Sequence, residues 1–343
     1  MIPRHILLAL SAATLAFADT LINTLQQNGF SDFASIYQDA DPSILSNVNA
    51  GSNMIIYATK NTQSTSNSTL GRRKTTVNTQ IAAMSSVQNT ASSSKKLRFK
   101  RQQANSPAAV YQSLLSDPEI VNLGPGVNQS LVEKPVGDAG VPTVFAGVGK
   151  AVPVVGDDIP FDGGVIRPVD SLVEIPGSIP NTLALFPQLS NLTALLTQFN
   201  LVEPVSEATG ITVLAPENSA FAAVDTSGLT DEQIVAILSQ HVIVNYVGYS
   251  PRLKDGQVLN TLANGTVTVA VRDSGVYFNG AKVTAADVIV GNGVVHTVAS
   301  VVGSEDAGVP GENPPATGAA GRVGLGLKTL GLAALGMAVA ALF

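Results

Sequence analysis

The chain has no cysteine and no tryptophan, only three histidines, and just 13% charged and 5% aromatic residues in 343. Without thiols there is no disulfide, no zinc–thiolate site and no cysteine nucleophile, so each domain must hold together by packing alone. With so few aromatics, a carbohydrate face of stacked rings is hard to assemble. The scarcity of histidine excludes a histidine-rich metal site. His5 sits at the extreme N-terminus, which leaves His241 and His296 for the body of the chain. Basic excess is lacking too: the net charge of −6 argues against nucleic acid as a partner.

Hydrophobic residues make up 45% of the chain, a globular proportion, and its length suits two domains. Both ends carry apolar runs. Arg4 precedes an apolar stretch from Ile6 to Phe17, followed by the small-residue pattern Ala16-Phe17-Ala18. That order predicts a signal peptide over 1–18, cut between Ala18 and Asp19. At the other end, Thr317-Gly318-Ala319-Ala320 is a small-residue cluster, Gly321 to Lys328 a spacer, and Thr329 to Phe343 an apolar tail without a basic flank. These are the three parts of a GPI-attachment signal over 318–343. Gly318 is the first choice of attachment residue and Ala319 the second. The competing reading is a transmembrane tail.

Asn67, Asn128, Asn191 and Asn264 each stand in an Asn-x-Ser/Thr sequon. Behind a signal peptide they are candidate N-glycosylation sites.

Two sequence boxes occur twice in the same order. Asn53-Met54-Ile55-Ile56-Tyr57-Ala58-Thr59-Lys60-Asn61 has the shape of Gly210-Ile211-Thr212-Val213-Leu214-Ala215-Pro216-Glu217-Asn218. Gly163 to Val173 has that of Asn292 to Val302, and Asp158-Ile159-Pro160 and Asp287-Val288-Ile289 precede them. The repetition predicts a duplicated domain. Leu21–Tyr37 and Leu183–Phe199 read as apolar helices opening each half. Thr230 and Gln233 form a capping box ahead of a helix with Ile234, Ile237, Leu238 and His241 on one face. Thr266 to Val271 reads as a half-buried strand with Val267, Val269 and Val271 inward. Such a mixture predicts an α+β class built around an antiparallel sheet.

The stretch 62–106 reads as a disordered insertion, rich in Ser, Thr, Asn and Gln and then basic over Lys95 to Arg101. Lys100-Arg101 is a candidate processing site, with a solvated charge patch as the plainer reading. A second linker, 303–317, is rich in Pro, Gly and acidic residues and reads as a stalk.

The boxes resemble the fasciclin domain. Thr212 to Phe221 is similar to that family's first box and Asn292 to Val298 to its second, so 177–302 reads as a fasciclin domain. Residues 19–176 resemble a diverged copy, with Thr59 where the family has Pro, Arg167 where it has His, and the insertion between. The whole pattern resembles a fungal cell-surface fasciclin protein. The resemblance implies a compact wedge of β-strands with helices packed at one end. It also implies adhesion without catalysis. An adhesive Tyr-His pair of animal relatives is replaced here by Gln240-His241.

No catalytic constellation emerges. The nearest approach to a Gly-x-Ser-x-Gly elbow, Gly248 to Arg252, fails at its last position. Asp157, Asp158 and Asp162 lack calcium-loop spacing and read as a solvated turn. His241 and His296 read as packed core residues. No cofactor and no metal is expected. The expected role is therefore a non-enzymatic surface glycoprotein. Its expected partners are wall or matrix polymers or surface proteins, and a C-terminal lipid anchor would hold it on the outer leaflet or wall. The rival readings are a lumenal or vacuolar membrane protein acting in trafficking and a wall-modifying enzyme.

Overall fold

The structure, a computed structural model, describes residues 20–51, 53–61, 71–89, 108–222, 224 and 228–303. The leader with Ala18 and Asp19, Asn67, Lys100 and Arg101, residues 304–317 of the stalk, and Gly318 and Ala319 lie outside them.

The class is α+β, with one sheet in each half of the chain. The first half opens with three helices, Leu21–Gln27 (α1), Ser31–Asp39 (α2) and Pro42–Ala50 (α3). The single helix expected over Leu21–Tyr37 is thus two. Gly29 breaks it, with a φ of 83° that side-chain-bearing residues rarely adopt. In the second half, Ile179–Leu183 (α5) and Ser190–Gln198 (α6) replace the helix expected from Leu183 to Phe199. Pro187 opens a 3-10 turn between them. Helices α1 and α2 turn apolar faces inward, placing Leu21, Leu25, Phe33 and Tyr37 in one core.

Eight strands follow: Met54–Thr59 (β1), Ser86–Gln88 (β2), Ala109–Ser113 (β3), Ser130–Val136 (β4), Val141–Phe145 (β5), Ala151–Pro153 (β6), Ile159–Phe161 (β7) and Gly164–Val169 (β8). Their order is β6-β5-β4-β3-β2-β1-β8-β7. The β1–β8 pair is parallel, and the other pairs are antiparallel. The second half adds Val202–Glu207 (α7), Ile211–Pro216 (β9), Asn218–Ala222 (α8), Asp231–Gln240 (α9), Val242–Ile243 (β10), Val258–Asn260 (β11), Thr266–Arg272 (β12), Gly275–Phe278 (β13), Ala281–Val290 (β14) and Gly293–Val298 (β15). Its order is β10-β9-β15-β14-β13-β12-β11, and again one pair, β9–β15, is parallel. Strands β1, β9 and β15 are buried along their whole length, which is why they read as continuous apolar runs.

The segment expected to be a disordered insertion is in part structured. Residues Gly71–Ser85 form a helix (α4), and β2 follows it directly. Ala82, Ala83, Met84 and Val87 join the first core. Ser86 is absorbed by specific bonds: its hydroxyl meets Tyr37 Oη at 2.7 Å and donates to the Ala82 carbonyl at 2.7 Å. Composition missed this because one short apolar stretch, not a long stripe, seats the helix. A second correction concerns β12, where Val267 and Val269 are buried as expected but Val271 is 39% exposed.

Candidate functional site

The repeated boxes occupy equivalent places. In the first half β1 and β8 pair with Met54 opposite Gly164 and Tyr57 opposite Arg167. In the second β9 and β15 pair with Ile211 opposite Gly293 and Leu214 opposite His296. Glycine is required at both starts, because a Cβ there would collide with the carbonyl of Met54 or of Ile211. The residues ending the first boxes also act alike. Asn61 Oδ1 accepts from the Asp32 amide at 3.1 Å, and Asn218 Oδ1 from the Asn191 amide at 3.0 Å, each in the first turn of a helix.

Arg167 and His296 therefore hold equivalent positions with different chemistry. Arg167 is buried and pairs with two carboxylates. Its Nη1 lies 2.8 Å from Glu133 Oε2, and its Nη2 2.7 Å from Asp158 Oδ2. Tyr57 Oη donates to the same Glu133 oxygen at 2.6 Å. Burial works against the charged guanidinium, but Asp158 foremost, and Tyr57 and Glu133, outweigh it and the net shift is upward. Burial, with Glu133 beside it, pushes the Tyr57 hydroxyl well above its usual range. Asp158 is thus an ion-pair partner and not the solvated turn residue expected from its neighbours.

His296 needs no counter-charge. Its Nδ1 accepts from the Asp287 amide at 3.2 Å, so Nε2 carries the proton and donates to the Gly248 carbonyl at 2.8 Å. Burial lowers its pKa, partly opposed by Asp287. His241 is equally committed. Its Nε2 accepts from the Val302 amide at 2.8 Å, which leaves Nδ1 to donate to the Ile237 carbonyl at 2.7 Å. Burial takes its pKa down to about 4. Both histidines are neutral, fully bonded core residues, as the sequence predicted.

Asp287 stands nine positions before His296, as Asp158 does before Arg167. It lies in an irregular stretch of β14 and adopts a left-handed φ of 71°. Its carboxylate accepts from the Ser250 amide at 2.7 Å and from the Ser250 hydroxyl. It also pairs with Lys134 Nζ on β4 of the other half at 2.6 Å. Lys134 lies 4.5 Å above the Phe145 ring. Burial would raise the Asp287 pKa, but His296, Lys134 and the Ser250 hydroxyl outweigh it and the net shift is downward.

This ion pair belongs to a wider junction. Tyr249 Oη donates to Gln129 Oε1 at 3.2 Å, while Gln129 Nε2 donates to the Val290 carbonyl at 3.0 Å. The Asn122 amide donates to the Gly291 carbonyl at 2.9 Å, and its side chain donates to the Glu207 carbonyl at 2.8 Å. Tyr249, Ile289 and Val294 of the second half belong to the first half's apolar core. None of these contacts was read from sequence, since the partners are up to 161 positions apart.

A groove of about 370 Å³ lies between α3, α4 and the segment after β3. Its polar groups already serve one another: the Asp41 amide donates to Thr79 Oγ1 at 2.8 Å, and Gln80 Nε2 to Asp117 Oδ2 at 2.8 Å. Among the described residues no cluster of three or more His, Asp or Glu is placed to hold a metal.

The described sequons differ in access. Asn191 is exposed in the first turn of α6, and Asn264 is exposed with a φ of 58° between β11 and β12. Asn128 is half-buried, and its Nδ2 donates to the Ser113 carbonyl at 3.0 Å.

Residues 187–303 match the model of the Fasciclin domain family. A fasciclin-like arabinogalactan protein of Cercospora beticola is 29% identical over 194 residues, 56% of this chain and 52% of that protein. Another, of Arthroderma benhamiae, is 28% identical over 209 residues, 59% of this chain and 48% of that protein. Protein sll1483 of Synechocystis is 33% identical over 120 residues, 33% of this chain and 66% of that protein. The chain thus spans about half to two thirds of the length of these curated relatives. Among solved structures it is similar to the domain pair from the insect cell adhesion molecule Fasciclin I, at 16% identity and a TM-score of 0.37, over 82% of this chain and 100% of that one.

Proposed function

We propose that this chain is a non-enzymatic cell-surface glycoprotein of the fasciclin type that works by adhesion to wall or matrix polymers or to surface proteins. The observation that carries this reading is the Fasciclin domain match over 187–303, in which the only two histidines, His241 and His296, are bonded at both ring nitrogens. Both imidazoles are buried with their nitrogens bonded to backbone groups, so neither faces a surface where a substrate could meet it. The names of the fungal relatives, fasciclin-like arabinogalactan proteins, agree with a glycosylated surface role.

In this proposal the first half is a diverged second copy of the same domain. Its parallel strand pair and its capping Asn61 repeat those of the second half. Glycans are expected at Asn191 and Asn264. A GPI anchor at Gly318 is proposed to tether the C-terminus, and many tethered copies would multiply weak contacts through high effective concentration.

Display of the full chain on non-adherent host cells tests the reading. Expressing cells should bind polymer-coated or cell-coated surfaces more than vector controls, and phosphatidylinositol-specific phospholipase should release both the protein and the adhesion. Equal attachment with and without the protein, at normal surface levels, would sink the adhesive role. Retention after phospholipase would replace the lipid anchor by a transmembrane tail.

A further inference from the structure

The junction between the halves has two ends of different chemistry. At one end the contacts are amides: Asn122 with the Gly291 carbonyl and with the Glu207 carbonyl. No titratable side chain takes part in them, and the chain itself crosses between the halves nearby, where the Gly291 amide donates to the Gly177 carbonyl at 2.9 Å. At the other end everything converges on one carboxylate. Asp287 holds Lys134 of the first half directly. Through Ser250 it also holds the turn Ser250–Arg252. Flanking that hold, Tyr249 reaches Gln129, and Arg252 Nη2 donates to the Val110 carbonyl at 3.5 Å. Asp287 thus holds Lys134 of the opposite half directly and, through Ser250, steadies the turn whose neighbours Tyr249 and Arg252 reach that half.

We propose that Asp287 is an acid-sensitive latch: when its carboxylate is protonated, Lys134 and the Ser250–Arg252 turn let go, and the junction loosens at this edge while the Asn122 end, the shared apolar core and both sheets hold. A neutral carboxyl can no longer balance the Lys134 ammonium, whose side chain is only 20% exposed. The other groups facing this point do not replace the charge. His296 from β15 is cationic if it titrates at all, Arg252 is cationic, and the Tyr249 hydroxyl stays neutral, with burial pushing its pKa up to about 12. Lys134 would then keep only the Ala286 carbonyl, at 3.4 Å, and the Phe145 ring as partners, with no anion to balance it. The first half shows the contrast. Asp158, in the equivalent place, is paired inward with Arg167, so its titration does not reach the junction. Histidine in place of arginine at 296 leaves Asp287 free to look outward.

The sign is set by the downward shift of the Asp287 pKa. The latch contribution is complete above the ordinary carboxyl value of 3.8 and is lost as pH falls through the lower, latched value.

Amide hydrogen exchange on the full chain, corrected for intrinsic rate, tests this. Asp287→Asn at pH 7 should speed exchange of the peptide carrying Tyr249–Arg252 by about tenfold or more, the scale of one lost ion-pair equivalent. Exchange in β9 and β15 should be unchanged. Wild type should behave the same way when acidified below the carboxyl range. If Asp287→Asn does not fold, Lys134→Met serves. It removes the cation that depresses the carboxyl, so the pH at which the junction loosens should rise. Wild-type exchange in 249–252 that stays flat through the acid range would overturn the proposal. So would an Asp287→Asn or Lys134→Met protein with the wild-type profile.

Discussion

Arg167 shows how one substitution inside a repeated frame reorganises its surroundings. A guanidinium in the place of His296 demands carboxylates, and Glu133 and Asp158 provide them. Removing one partner leaves charge buried and unpaired. Arg167→Ala should therefore cost about 3–5 kcal/mol in urea unfolding. A triple variant that adds Glu133→Gln and Asp158→Asn to Arg167→Met should lose distinctly less, because the carboxylates go with the cation. His241 makes a second residue-scale prediction. Its folded pKa is about 4, below the ordinary 6.5, so its contribution is whole above about pH 6.5 and is lost as pH falls toward 4. The loss is on the order of 3 kcal/mol. Denaturation midpoints across that range should fall in wild type and flatten in His241→Gln. A wild-type stability independent of pH between 7 and 4 would contradict the assignment of Nε2 as acceptor to Val302.

Among the elements, α9 and α4 stand at opposite ends of legibility. The capping box of α9 is local chemistry: Gln233 lends its amide to Thr230 Oγ1, and its own side chain accepts from the Thr230 amide. Thr230→Ala should cost about 1 kcal/mol, read as a drop in thermal midpoint. Helix α4 carries no such signature. Its polar composition suits an exposed linker, and only the shape of the first core makes Ala82, Ala83 and Met84 a buried end. The following strand β2 then sits between β1 and β3 in the sheet. Deleting 71–89 should consequently abolish soluble expression of the full chain, whereas a dispensable insertion would leave yield and circular dichroism unchanged. The broken helices at Gly29 and Pro187 were legible in principle, since both residues are helix-breaking types, but the apolar periodicity ran across them.

The molecule as a whole is two sheets sharing buried apolar and polar contacts. Gly291 offers a direct test of that union. A Cβ there would press into the Ile120 carbonyl across the junction. Gly291→Ala should loosen the halves without touching either core, so calorimetry at neutral pH should pass from one transition toward two. Two transitions already present in wild type would show that the junction does not couple them.

Sequence alone determined what short-range chemistry and repetition can encode. The doubled boxes, the capping box, the buried histidines and the α+β class all follow from patterns within a few residues, whereas the parallel pairing of the two boxes in each half came from the fold. Tertiary structure decided what depends on who meets whom across more than a hundred positions. It gave α4 a core to rest on, paired Arg167 with Glu133 and Asp158, and turned Asp287 toward Lys134. The physical reason is that a charge's partner is set by proximity in space. Asp158 and Asp287 occupy matching places in the repeat, yet only the fold shows that one faces its own sheet and the other faces its neighbour's.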